Sequence, residues 1–373
     1  MKRLKTLSVL ALLLFTCAAL LPAAWTSMRL TTNAGQTVQP AIAASGTNVY
    51  AVWRDDTSGF RQIYFRRSLD SGSTWQAAKK LSNTEAYKGD PAIAASGSYI
   101  YVIWSDNSPG KMDLYLRRST DNGATWKALV QFTDNAGDSL YPAIVASNAN
   151  VYVAWQDETT GNAEIYFRRS SDYGATWQTA KMITDNYGES QFPAIAVFAA
   201  NVYVCWSDNT PGHYETYFKR STDGGAHWSG ARRLSVTSAD TLNPAIVVYG
   251  SLIFIVDWSG YTGTQSIYFR RSTDGGATWD PVKDITKGEL APSMPVIASK
   301  RDRLYLTWQD ESKEVYFTKS ADGGSSWEAV QRLTYNSGDS VDPHVAVDAA
   351  NVYVVFSDAS PGNEEILLRY SPK

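Results

Sequence analysis

Seven segments beginning with proline recur along this chain at nearly constant spacing, and that repeat limits its possible folds more than any other feature. Pro40-Ala41-Ile42-Ala43, Pro91-Ala92-Ile93-Ala94, Pro142-Ala143-Ile144-Val145, Pro193-Ala194-Ile195-Ala196 and Pro244-Ala245-Ile246-Val247 start 51 residues apart. Pro295-Val296-Ile297-Ala298 keeps that interval, and Pro343-His344-Val345-Ala346 follows after 48. Thirteen residues after each proline stands Trp53, Trp104, Trp155, Trp206, Asp257, Trp308 or Phe356. Within a unit, Val151-Tyr152-Val153-Ala154-Trp155 and Glu164-Ile165-Tyr166-Phe167-Arg168-Arg169 alternate with period two between clusters of Asn, Asp, Gly and Pro. Such β-branched and aromatic runs predict strands. Four fit in each unit: a over the proline segment, b ending at the Trp, c ending in Arg-Arg, and d after it. Four-stranded units of this length predict an all-β propeller.

The chain ends predict the blade number. Six units are complete, and the seventh stops after its strand c, Glu365 to Arg369. Its missing strand d stands at the other end, where Arg29-Leu30-Thr31-Thr32-Asn33-Ala34-Gly35 matches Arg332-Leu333-Thr334-Tyr335-Asn336-Ser337-Gly338. Seven antiparallel blades closed by the N-terminal strand are therefore expected, with six as the alternative; closure removes exposed sheet edges. The wheel is expected to occupy residues 27–373 as one domain. Ahead of it, Met1 to Lys5 is basic and Leu7 to Ala24 apolar, the pattern of an export signal or N-terminal anchor over 1–26 and hence of an extracellular or cell-surface protein. With Cys17 in that leader, Cys205 is a lone thiol in a strand-b slot filled elsewhere by Val52, Ile103, Ala154 and Val256, a small buried apolar group.

Six of the turns between c and d read Ser-x-Asp-x-Gly-x-x-Trp, from Ser68-Leu69-Asp70-Ser71-Gly72-Ser73-Thr74-Trp75 to the turn Ser320 to Trp327, with Asp70, Asp121, Asp172, Asp223, Asp274 and Asp322 as their acids. This motif resembles the Asp box, or BNR repeat, of sialidase-like β-propellers. The physics of the motif is structural: the Asp accepts backbone N–H groups across its own turn, the Gly supplies a positive φ, and the Trp folds back to bury its ring. Hydrolases, lectin-like binders and assembly scaffolds share the pattern, so the resemblance does not choose among functions.

The resemblance implies that ligands sit over the axis on the face formed by d-to-a and b-to-c connections, with the Asp boxes on the opposite face. Sialidases of this kind resemble one another in an arginine triad, an Arg-Ile-Pro motif, a Tyr–Glu pair and an acid/base Asp. Here the arginines recur mainly as the Arg-Arg of strand c, only Arg54 and Arg61 fall on the ligand face, and Arg-Ile-Pro is absent. An anionic sugar needs cationic, preferably bidentate partners, so sialic-acid hydrolysis is not expected. The balance of 34 basic against 37 acidic side chains gives no reason to expect nucleic acid, and membrane contact is expected only through an uncleaved leader. Carboxylates such as Asp106, Asp157, Glu164, Asp208, Glu215, Glu314 and Asp358 crowd the ligand face. They read either as turn caps or as a negative field suited to neutral sugars, basic partner groups or Ca²⁺. No other cofactor is expected, and His213, His227 and His344 stand singly in three units rather than as a zinc cluster.

A repeat protein is expected to place its site where the repeat breaks. The residue before each strand-a proline runs Gln39, Asp90, Tyr141, Phe192, Asn243, Met294, Asp342, a ring of polar and aromatic groups suited to a saccharide or a peptide terminus; sequence drift at solvated positions is the other reading. Tyr87, Tyr187, Tyr214, Tyr261 and Tyr335 stand in neighbouring loops. Asp257, in a slot that otherwise takes Trp, is the second break. It reads as a general acid in an apolar wall, or as a register slip that lets Trp258 fill the hole. Counting Trp258 with strand b and Trp25 with the leader leaves no Trp as a stacking platform. The sequence thus favours an exported, non-enzymatic binding module for carbohydrate or another extracellular polymer. A glycoside hydrolase or lyase acting on a neutral glycan through Asp90, Asp257 or Asp342 is the alternative, and a protein-interaction scaffold is the third reading.

Overall fold

The computed structural model describes residues 24–260, 264–360 and 362–373. Most of the leader, with Cys17, and Tyr261 lie outside the described residues.

The described residues form seven four-stranded antiparallel sheets and no helix. In chain order the blades are 37–80, 88–131, 139–182, 190–233, 241–284 and 293–332, and the seventh is 340–372 with Thr26–Arg29 as its outer strand. Seven blades are present, not six. Thr26 pairs with Tyr370 and Arg29 with Leu367, so the two ends share one sheet. The Arg29 guanidinium meets Glu365 at 2.8 Å, the contact that Arg233 makes with Glu215 at 2.7 Å within blade 4. Trp25, assigned to the leader from the sequence, packs edge to face on Phe317 at 4.9 Å and donates its indole N–H to Gln331.

Strand b carries the core because both its faces are covered by neighbouring blades, and the run Val151 to Trp155 is buried throughout. Cys205 lies in this core as expected, fully buried beside Ile253 and Ile255. The strand-c cations tie the blades together. The second of each pair runs toward the Asp boxes and donates to a carbonyl in the following blade's box: Arg67 to Asn122 at 2.6 Å, Arg169 to Gly224 at 2.7 Å, Arg220 to Gly275 at 2.6 Å. The first of the pair reaches the preceding blade in blades 3 and 4, Arg168 to the Phe132 carbonyl and Lys219 to the Ile183 carbonyl, both at 2.6 Å.

The Asp boxes are structural, as their chemistry implies. Asp121 accepts the Thr125 N–H at 2.9 Å, Thr125 adds its hydroxyl, and Ser119 bridges Asp121 and the Gly123 N–H. In the first box the Thr74 hydroxyl, the Ser68 hydroxyl and the Thr74 N–H likewise stabilise the charged form and hold the Asp70 carboxyl at about 2, against an ordinary 3.8. Each box also grips its neighbour, since Trp126 meets Phe65 edge to face at 4.9 Å and Trp228 meets Phe167 at 5.0 Å.

Candidate functional site

Strand a is the inner edge of every blade, and all seven copies are bulged at the same place. Pairing with strand b breaks between Val38 and Ala41 in blade 1, Gly89 and Ala92 in blade 2, and Leu140 and Ala143 in blade 3. The same break falls between Gln191 and Ala194, Leu242 and Ala245, Ser293 and Val296, and Val341 and His344. Proline suits this position because it has no N–H to leave unpaired on an inner edge. The residue before it absorbs the extra length in the left-handed region. Gln39, Asp90, Tyr141, Phe192, Asn243, Met294 and Asp342 all have φ between 47° and 54°. That conformation costs an L-residue roughly 1–2 kcal/mol and glycine nothing, yet none of the seven is glycine.

The bulges turn these side chains to the axis. All seven line one cavity of about 500 Å³, together with the prolines and His344. The ring predicted from the repeat breaks is thus one contiguous surface, and it is divided by chemistry. Blades 7, 1 and 2 form a polar arc. The Arg54 guanidinium donates to Gln39 Oε1 at 3.0 Å and to the Tyr87 hydroxyl at 3.2 Å, and Gln39 Nε2 donates to Asp90 at 3.3 Å. Ser105 donates to the other Asp90 oxygen at 3.1 Å. Burial pushes the Asp90 carboxyl above its ordinary value and Asp342 adds to the rise, while Ser105, Arg54 and Gln39 oppose it. Burial raises Asp342 likewise, and burial with the Asp342 charge raises Glu364. His344 replaces the strand-a alanine, and burial lowers its imidazole to about 4, so it is neutral at physiological pH.

Blades 3 to 6 form the other arc. Tyr141 and Phe192 pack at 4.7 Å between centroids with a 58° tilt, and Tyr141 and Met294 stay 37% and 43% exposed. Aromatic faces beside hydrogen-bonding groups suit a ligand with both C–H and O–H surfaces.

Two expectations are corrected here. Asp257 is not at the mouth: it is 0% exposed, paired with Arg270, and accepts the Thr216 hydroxyl at 2.7 Å. It is a buried charge compensated by a cation, away from the cavity lining. Nor does the register slip, because Asp257 faces Tyr268 and Trp258 faces Ile267 in continuous pairing. Trp258 therefore stays out of the strand-b Trp slot. It is half-buried and sends its indole N–H to Asn243 Oδ1 at 3.4 Å, so one Trp does stand beside the ring.

The crowded carboxylates are mostly turn caps. Asp208 accepts from Trp206, Ser190 and Asn186 at 2.9–3.0 Å and from the Thr210 N–H at 2.9 Å, and Asp157 repeats the pattern in blade 3. Glu215 and Glu314 pair with Arg233 and Arg332. Among the described residues no group of three or more His, Cys, Asp or Glu is arranged to hold a metal ion. Arg61 lies over the Tyr87 ring at 4.7 Å and Arg332 over Tyr335 at 4.9 Å, while Tyr187 projects into solvent.

The residue after the strand-b Trp was missed as a second variable ring. It runs Arg54, Ser105, Gln156, Ser207, Trp258, Gln309, Ser357. Arg54, Ser105 and Trp258 contact ring members of their own blade, and Gln309 accepts the Asp342 N–H from the next at 2.8 Å. Its variability within a nearly constant strand was the available signal.

A curated relative, the xyloglucanase Xgh74A of Acetivibrio thermocellus, is 27% identical over 186 residues, which is 43% of this chain and 22% of that protein. Among solved structures, a protein of unknown function from Dyadobacter fermentans superposes with TM-score 0.59 at 12% identity, covering 93% of this chain and 99% of the other. Trypanosoma rangeli sialidase in complex with the inhibitor DANA gives 0.54 at 11% identity, covering 94% and 60%. Phage phi92 endosialidase gives 0.55 at 10% identity, covering 94% and 69%. At these identities the likeness is one of fold. The BNR repeat-like domain model matches residues 12–153 and 150–372, so the chain belongs to the BNR repeat-like family, on a seven-bladed sialidase-type propeller.

Proposed function

We propose that this chain is an exported binding module whose axial cavity takes a neutral saccharide. One observation carries the reading: seven positions hold a strained backbone that glycine would relax, and each keeps a side chain that lines the same cavity. Strain of this kind persists where the surrounding structure holds it, and it clusters at ligand-binding sites. Tyr141 and Phe192 would stack on sugar C–H faces, and Gln39, Asn243, Asp90 and Asp342 would hydrogen-bond hydroxyls. The acids would repel carboxylated glycans. The Xgh74A relative, a xyloglucanase by name, and the sialidase neighbours support carbohydrate as the ligand class, and the basic-then-apolar leader supports export.

The test is calorimetry with xyloglucan oligosaccharides and other neutral glycans on the full chain and on Tyr141→Gly/Phe192→Gly. Binding should fall at least about tenfold while the melting temperature changes by no more than a few degrees. Undiminished binding in the double variant would remove the cavity from consideration. The raised carboxyls of Asp90 and Asp342 support a second reading, glycoside hydrolysis, since a general acid must stay protonated near working pH. Release of reducing sugar, abolished by Asp90→Asn, would favour it.

A further inference from the structure

Between blades 5 and 6, far along the sheets from the axial mouth, lies a second cavity of about 430 Å³, and it marks another break in the repeat. The first strand-c cation is Arg66, Arg117, Arg168, Lys219, Arg270 and Arg369 in six blades, but Thr318 in blade 6. Register fixes the equivalence: Thr318 faces Leu306 two residues before Trp308, as Arg168 faces Val153 two residues before Trp155. In blade 3 the guanidinium bridges two carbonyls, Phe132 of the preceding blade at 2.6 Å and Gln178 at 2.7 Å. In blade 1 Arg66 does the same with Leu30 and with Gln76 at 2.7 Å. The corresponding residues in blade 6 are Ile285 and Glu328. Ile285 donates its N–H to Ile267 as Ile183 does to Ile165, and Glu328 follows Trp327 as Gln178 follows Trp177.

Ile285, Glu328, Thr318 and Trp327 all line the cavity. The Thr318 hydroxyl reaches Glu328 O at 2.8 Å, leaving the place of a guanidinium open. Lys283 does not fill it, because its ammonium donates at 2.7 Å to the Gly324 and Ser325 carbonyls. Asp284, Glu289 and Glu328 against Lys283 and Lys287 leave the lining with one net negative charge. We propose that this cleft binds the guanidinium of an arginine side chain presented by a partner protein, in the position that neighbouring blades fill with a cation of their own. Blades 1 and 3 display the bound geometry, and guanidinium suits it because its planar fork can bond two carbonyls at once.

The test titrates the full chain with N-acetyl-arginine amide and with N-acetyl-citrulline amide, its uncharged isostere. The arginine compound should bind and the citrulline compound should not. Thr318→Arg, which fills the slot from within, should raise the melting temperature and weaken arginine-amide binding at least about tenfold. Arg66→Thr, which opens the same slot in blade 1, should add a second site of the same selectivity. Equal response to both compounds, response to neither, or binding untouched by Thr318→Arg would overturn the proposal. Thr318→Leu gives the same readout with an apolar filler if the arginine variant does not fold.

Discussion

Positive φ recurs at several places in the repeat, and two of them are handled in opposite ways: the glycine three residues before each Asp-box Trp and the residue before each strand-a proline. In the Asp boxes the position is glycine, with φ from 72° at Gly174 to 89° at Gly225. A side chain is excluded there twice over: by the backbone, and because a Cβ on Gly324 would lie 2.2 Å from the Phe269 ring. Around the axis the same backbone sign falls on seven residues that are never glycine, and they line a cavity. The boxes pair their polar groups within the turn and grip the next blade. The axial bulges leave theirs facing a cavity. A turn closed on its own polar groups holds the wheel together, and a bulge whose side chain lines a cavity makes a surface whose chemistry can differ from blade to blade.

The largest effect expected from this contrast is in Gly324→Ala. Left-handed strain and the clash with Phe269 together should cost about 3 kcal/mol in urea unfolding. A loss below about 0.5 kcal/mol would erase the distinction between the two sets. The next contrast is the response to pH. Donors in the box lower Asp70 from 3.8 to about 2, so its contribution to stability is complete above 3.8 and is lost as pH falls toward 2. Asp342 has the opposite sign, because burial raises its folded-state value above 3.8. Its contribution is complete below 3.8 and is lost as pH rises through that raised value. Asp342→Asn should therefore raise the melting temperature at neutral pH and leave it unchanged in acid; an equal change at both would show that the carboxyl is not desolvated. Smallest of all should be Met294→Gly. Relief of strain offsets the added freedom of the unfolded chain, so the net change should stay within about 1 kcal/mol by denaturant titration. A larger loss would show Met294 packing as core rather than facing the cavity.

The wheel was legible because its determinants are local and repeated. Proline spacing, period-two alternation and the match between Arg29–Gly35 and Arg332–Gly338 all report on pairing that recurs in each unit. The ring was legible for a related reason, since variable residues stood between constant ones. What made those positions variable without β-branched types was hidden, because a bulge with φ near 50° leaves no signature beyond the neighbouring proline. Asp257 and Trp258 were misread together. In sequence a carboxylate in a Trp slot can mean a slip or a site, and only the partner settles it. That partner, Arg270, belongs to strand c of the same blade, and Thr216 to the blade before. Such cross-blade compensation depends on which faces meet, which period-two alternation alone does not specify. The carboxylates of the ligand face were read as two possibilities for the same reason: Asp208 looks equally acidic whether or not Trp206, Ser190 and Asn186 surround it.

The shared seventh blade has a consequence for how the molecule is made. Arg29 finds Glu365 across 336 residues of chain, so the strand Thr26–Arg29 must wait for the strand Glu365–Pro372 before it has a partner. Closing so long a loop carries an entropic cost that local blade formation does not. Until then the growing protein is an open arc with an unpaired strand at its leading tip. Arrival of the strand Glu365–Pro372 is itself the latch, and a variant without that strand would keep the tip bare.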